Sequence, residues 1–216
     1  MKKGHVIFLN GTSSCGKTTI AKALQDKLAE PYMYVSVDDF FHMYPEKYLN
    51  PTNQDEAIIL AHLIPAVVSG LHRSIASLAQ SGNNILVDHV LQENGWLKEC
   101  VENWVGLEVL FVGIKCPVEI TEQREKERGD RNIGTARYQF ERVHAHGLYD
   151  IEVDTSILNV DECVTRIMAV INDKPTECAF QKLAARFMRA EGALPESKAG
   201  YRLMEVSRSE TKSDRN

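Results

Sequence analysis

The segment Gly11-Thr12-Ser13-Ser14-Cys15-Gly16-Lys17-Thr18 sets two glycines, a lysine and a hydroxyl at the spacing G-x-x-x-x-G-K-[ST], a pattern that holds phosphate. Glycine at positions 11 and 16 admits backbone angles closed to other residues, so the N–H groups of Thr12, Ser13, Ser14 and Cys15 can turn inward onto phosphate oxygens. The Lys17 ammonium would reach the β and γ phosphates, and the Thr18 hydroxyl would ligate Mg²⁺. Thr19, next in the chain, joins the nucleotide-binding set.

Phosphoryl transfer needs more than a cradle: a carboxylate near the metal, a second that orients or deprotonates the attacking hydroxyl, and cations over the moving charge. Three acidic residues stand where apolar runs end, Asp38 and Asp39 after "MYVSV" and Asp88 within "NILVDHV". Asp88 follows hydrophobic residues and is assigned to Mg²⁺ with Thr18, contact with the acceptor being its alternative role. Asp38 is assigned as the base. In "EQREKERGDRNIG" the arginines Arg124, Arg128 and Arg131 recur at spacings of four and three, so the first two share a helix face and the third can turn back from the loop at Gly129. A lid hinged at Gly129 and Gly134 would bring Arg124 to the nucleotide and Arg128 and Arg131 to the transferring group, excluding water as it closes.

The acceptor pocket is expected from Asp39, Phe41, His42 and Tyr44, with Asp88 and His89 opposite. Aromatic rings suit a small organic molecule, and Lys47 is the sole Lys or Arg between Asp38 and Asn53, which disfavours an anionic acceptor. His144 and His146 are two residues apart with no third ligand nearby and read as turn or pocket residues.

These residues need strands that end at one rim. Val6 to Leu9 is an apolar run suited to a buried parallel strand, and Ile20, Leu24 and Leu28 recur at helical spacing behind it. Apolar runs at 33–37, 84–90, 107–116 and 149–155 predict four more strands, the last at an edge. Helical patterns alternate with them: 55–81 with a break or kink at Pro65 and a stop at Gly82, then 94–104, a helix opened by Pro117 in its first position, and one capped by Asn159 and Glu162. Alternation of this kind predicts an α/β fold with a parallel sheet. Ligands then sit beyond the carboxyl ends of the strands.

The 216 residues carry a formal net charge of −5, which gives no support for binding nucleic acid or a membrane surface. Five scattered cysteines without C-x-x-C spacing read as free thiols in a reducing compartment. No run is expected to reach membrane-spanning length, and a cytoplasmic protein is expected.

With "VSVDDFFHMYP", "ILVDHVL", "VGIKCPVEITEQREKERGDRNIGTA" and "VHAHGLYDIEVDTS" in place, the chain resembles the chloramphenicol phosphotransferase-like family of small P-loop kinases, from about His5 to Asp173. The resemblance implies a five-stranded parallel sheet with helices on both faces, ATP as donor, a hydroxyl acceptor, and a base at Asp38. The segment Asp39-Phe40-Phe41-His42 departs from the antibiotic kinase, so an unidentified metabolite or another natural product is preferred as the acceptor, with chloramphenicol among the candidates by resemblance.

Residues 1–173 are therefore expected to form a kinase domain, 174–192 an amphipathic helix marked by Phe180, Leu183, Ala184, Phe187 and Met188 and stopped by Gly192, and 193–216 a polar, disordered tail. Two other classes share the phosphate loop. A regulatory GTPase would need N-K-x-D and D-x-x-G motifs, which the chain lacks. A nucleotide-binding regulatory protein without transfer would need the loop but neither Asp38 nor the arginines.

Overall fold

The computed structural model describes residues 2–129, 133–173 and 175–191. Five parallel strands form one sheet in the order β2-β3-β1-β4-β5, with β1 (His5–Asn10), β2 (Tyr32–Ser36), β3 (Asn84–His89), β4 (Glu108–Lys115) and β5 (Ile151–Asp154). The expected α/β class, strand number and edge position of β5 are all found. Alternate side chains of β1 enter opposite cores: Val6 and Phe8 pack on one face, Ile7 and Leu9 on the other. A strand covered on both sides has no polar face to show, which is why its sequence is a plain apolar run.

The first face carries α4 (Gln54–Gln80), α5 (Asn94–Asn103) and α9 (Ala179–Glu191); the second carries α1 (Lys17–Lys27) and α8 (Val160–Asn172). Ala179, Phe180 and Leu183 of α9 are buried in the same cluster as Phe8, Trp104 and Phe111, with the Trp104 and Phe180 rings stacked 5.5 Å apart. The C-terminal amphipathic helix thus completes the sheet's own core. Gly192 and the tail 193–216 lie outside the described residues.

Several boundaries move. β2 stops at Ser36, and Val37 opens a short helix α2 (Val37–Phe41), followed by α3 (Glu46–Leu49). Asp38 and Asp39 therefore occupy a first helical turn, where carboxylates suit the positive helix end. α4 runs through Pro65 as one element, with Asn53 and Ser81 as its two cap residues. Pro117 stands just outside α6 (Val118–Arg128) as its cap. A further helix, α7 (Thr135–Val143), occupies a stretch for which the sequence predicted no element.

The expectation that no run reaches membrane length is also corrected. The 27 residues of α4 are long and apolar enough to cross a membrane by length and composition, with a mean hydropathy of 1.5 in one window. Its C-terminal half is core, with Leu71, Ile75 and Ala79 fully buried.

Strand order reverses between β1 and β3: α1 leaves β1 onto one face, and α5 leaves β3 onto the other. The crevice beyond these two strand ends is where such a sheet binds its ligand. Leu9 pairs with Asp88 and Asn10 with His89, so the phosphate loop and the end of β3 meet there.

Candidate active site

The loop between β1 and α1 is held by a buried frame. Asn10 donates to the Val143 carbonyl and the Tyr149 hydroxyl, at 2.9 and 2.7 Å, and accepts from Leu91 N–H at 3.0 Å. Thr155 Oγ1 donates to the Cys15 carbonyl at 2.8 Å. Gly16 has φ +96°, so a side chain there would be strained. Gly11 is needed for another reason than the expected backbone freedom: a Cβ would stand 2.5 Å from the Ile114 carbonyl oxygen. Ser14, although not glycine, takes φ +61°. Burial pushes the Cys15 thiol up, so it remains a neutral packing group.

Lys17 is buried, donating to the Thr12 carbonyl at 2.8 Å with its ammonium 3.8 Å from Asp88 Oδ1. Thr18 Oγ1 and the Tyr34 hydroxyl both donate to Asp88 Oδ2, at 2.7 and 3.1 Å. Burial and the Asp88 charge keep Tyr34 protonated and therefore a donor. The sequence reading missed Tyr34, although its place two residues before the end of β2, paired with Leu86, puts it beside Asp88.

Nucleotide and metal fit what is present. Ser14 Oγ is buried with no hydrogen-bond partner among the described residues, in a loop whose chemistry is to meet phosphate oxygens. Thr18 and Asp88 offer adjacent oxygens of the hard type that suits Mg²⁺, a cation that keeps much of its coordination for water and substrate phosphate. Among the described residues no group of three or more His, Cys, Asp or Glu could hold a metal on its own.

A cleft of about 810 Å³ opens beside this cluster. It is bordered by Ser13, Ser14, Gly16, Lys17, Thr18, Thr19, Asp88, Arg124 and Arg128 on the loop side, and by Val37, Asp38, Phe41, Ile64, Val90 and Trp96 on the other. Asp38 and Phe41 reach it because residues three apart share a helix face. Asp39, His42 and Tyr44 do not reach it: all three are exposed and absent from the cleft wall. The Asp39 carboxylate instead forms a capping box, accepting from Ser36 N–H at 3.2 Å while the Asp39 N–H donates to Ser36 Oγ at 3.1 Å.

His89 borders the cleft but its ring is committed. Val90 N–H donates to its Nδ1 at 2.8 Å, so the proton sits on Nε2, which faces His72 Nε2 at 2.9 Å; His72 Nδ1 lies 2.9 Å from Glu99. Burial holds both histidines below their usual range. His89 stacks on Trp96, ring centroids 5.7 Å apart, and so supports the cleft wall. His144 and His146 both meet the Tyr149 hydroxyl, at 2.6 and 3.0 Å, as turn residues.

Arg124 is anchored by the Thr155 hydroxyl and carbonyl at 3.1 and 3.0 Å, which sets it beside the loop. Arg128, one turn on, also borders the cleft. Arg131 lies outside the described residues. Gly129 and Gly134, proposed as hinges, have φ of +67° and +96° as the cap residues of α6 and α7. The buried Glu125 joins the two helices by accepting from the N–H groups of Gly134 and Ala136 at 2.7 and 2.9 Å. Gln139 on α7 accepts from Ser13 N–H at 2.7 Å. Ala136, Gln139 and Val143 form the buried stripe of α7; this helical spacing was the signal that could have revealed it.

Among known proteins, the family model described as "Chloramphenicol phosphotransferase-like protein" matches residues 4–172. A Mycobacterium tuberculosis protein named "Putative O-phosphotransferase" is 31% identical over 205 residues, covering 87% of this chain and 91% of that one. A shikimate kinase of Rhodopirellula baltica is 27% identical over 176 residues, covering 77% and 90%. The solved APS kinase of M. tuberculosis, in complex with AMPPNP and APS, superposes with a TM-score of 0.61 at 14% identity over 80% of this chain and 99% of its own, which shows a shared fold.

Proposed function

The chain belongs to the chloramphenicol phosphotransferase-like family, and from that membership we propose an ATP-dependent kinase that moves the γ-phosphoryl group onto a hydroxyl of a small, neutral, largely apolar molecule. One observation carries this reading: Lys17 and Thr18 both lie within ion-pair or hydrogen-bond reach of Asp88 on one wall of a cleft that Asp38 also borders.

Bound nucleotide with its Mg²⁺ supplies an electrophilic phosphorus and screens the phosphate charge. The loop N–H groups other than that of Ser13, which donates to Gln139, would bind the β and γ phosphates together with Lys17, and Thr18 with Asp88 would hold the cation. Asp38 accepts the proton of the acceptor hydroxyl as the new O–P bond forms, and keeps it on its carboxylate while ADP leaves. Arg124 and Arg128, which border the cleft, would neutralise the phosphate charge, with Arg131 the next arginine in the sequence. The acceptor wall of Val37, Phe41, Ile64, Val90 and Trp96 excludes water that would otherwise take the phosphoryl group. Among the described residues the cleft's lysine and arginines, Lys17, Arg124 and Arg128, all belong to the loop and α6, which favours a neutral acceptor. The chemistry suits a cytoplasmic setting, where ATP and free thiols coexist.

The test is a screen of hydroxylated compounds for phosphate incorporation from labelled ATP, with Asp38→Asn as the blank. Transfer to neutral apolar alcohols is expected. Rapid transfer to a nucleoside monophosphate or an anionic sugar acid would overturn the acceptor assignment, and nucleotide binding without transfer to anything would favour a regulatory nucleotide binder.

A further inference from the structure

We propose that Gln139 reads the third phosphate, making it a specificity-determining residue that separates ATP from ADP. The inference rests on the ATP-site reading above and assigns a donor that the loop motif does not contain.

Gln139 is buried, with 7% exposure, and it borders the cleft from α7. A backbone N–H can be met by only the oxygen end of an amide, so the 2.7 Å bond from Ser13 N–H fixes Oε1 toward the loop. The NH₂ end is thereby turned away, and one of its N–H bonds goes to Gln92 Oε1 at 3.0 Å. Gln92 lies just beyond β3, the strand that ends with Asp88 and His89, and it borders the same cleft. The amide thus joins the phosphate-holding loop to the segment that follows β3, both of which border the cleft. Its second N–H is the donor assigned to a γ-phosphoryl oxygen. Burial removes competing water and strengthens such a bond.

α7 is built to hold this amide still. Glu125 caps its first turn from α6, and the Val143 carbonyl at its far end accepts from Asn10 at the end of β1. Ser13 is the third residue of the loop, ahead of the Gly16 to Thr18 corner where α1 begins. A contact at Ser13 therefore addresses the end of the phosphate chain that lies away from α1.

The experiment measures Mg-ADP and Mg-AMPPNP affinities by calorimetry for the wild type, Gln139→Glu and Gln139→Leu, with thermal melts as the check on folding. The Glu variant keeps an acceptor for Ser13 N–H but exchanges the NH₂ donor for a negative charge, so the uncharged Leu variant must show the same selective loss if the missing donor and not repulsion is its cause. Affinity for Mg-AMPPNP should fall about 10- to 100-fold, as for a hydrogen bond to a charged group, while Mg-ADP affinity is unchanged. Equal losses for both nucleotides, or no loss for either, would overturn the proposal by leaving Gln139 a structural strut. A measurement on the wild type alone keeps the question open to refutation if both variants unfold: the Gln139 side-chain NH₂ resonances should shift on adding Mg-AMPPNP and stay in place with Mg-ADP, and equal shifts sink the idea. Wild-type protein that binds neither nucleotide would instead remove the kinase reading itself, a result separate from any effect at Gln139.

Discussion

On the loop side of the cleft Thr12, Ser13, Cys15, Lys17 and Asp88 are buried and tied by Thr155, Tyr34 and Gln139, whereas on the far side neither α2 nor α3 contains one buried residue. Met43 and Tyr44 after α2 and Ile58 and Ile59 on α4, which do not line the cleft itself, are exposed. Under the proposed function, the contrast follows from what each half binds. Phosphate charge is held well only by dipoles and cations fixed before it arrives, and fixing them takes burial. A neutral organic molecule is held by apolar contact, which tolerates a looser wall.

The largest effect is expected in the fixed half. Lys17→Ala removes the buried ammonium opposite Asp88, and phosphoryl transfer should fall by about 10³-fold with the fold retained; unchanged Mg-ATP binding by calorimetry would reduce the loop to a turn. Asp38→Asn, across the cleft, keeps size and hydrogen bonding but cannot take a proton. Turnover should fall by about 10²-fold with nucleotide affinity intact, and a full-rate variant would eliminate Asp38 as base.

Acid should act on the frame beneath both halves. His72, His89, His144 and His146 are all held neutral by burial, His144 to about 3 and His146 to about 4, with Lys115 adding to the last two. Their folded pKa values lie below the unfolded value, so the unfolded chain binds more protons as pH drops. Stability from these groups is present above about pH 6.5 and lost below it, by about 2 kcal/mol at pH 5 for a histidine that is still neutral there. Melting temperatures flat from pH 7.5 to 5 would contradict this.

Smaller changes sharpen the comparison. Phe41→Ala trims the loose wall and should raise the acceptor KM by about tenfold while sparing kcat; an equal loss in ADP affinity would show the two walls to be one unit. Ser14→Ala removes the hydroxyl whose oxygen is buried without a partner. Thermal stability without nucleotide should rise by about 1 kcal/mol, and Mg-ATP affinity should drop by roughly threefold to tenfold. A simple loss of stability would mean that the hydroxyl already serves the fold.

The local patterns of the chain determined a great deal. The order of the strands and of the longer helices other than α7, the cap at Asn159 and Glu162, the phosphate loop and the carboxylate at Asp88 each depend on residues close in sequence, whose backbone preferences and apolar periodicity act before any long-range contact forms. Tertiary structure decided the rest. Asp38 and Phe41 face the cleft while Asp39 and His42 face away because Ser36 starts a helix one residue earlier than the apolar run ends, and one residue is about 100° of rotation on a helix. Tyr34 meets Asp88 through strand pairing across 54 residues, and Gln139 meets Ser13 across 126. Side chains so far apart are brought together by the burial of two cores about one sheet, and no local spacing encodes that meeting.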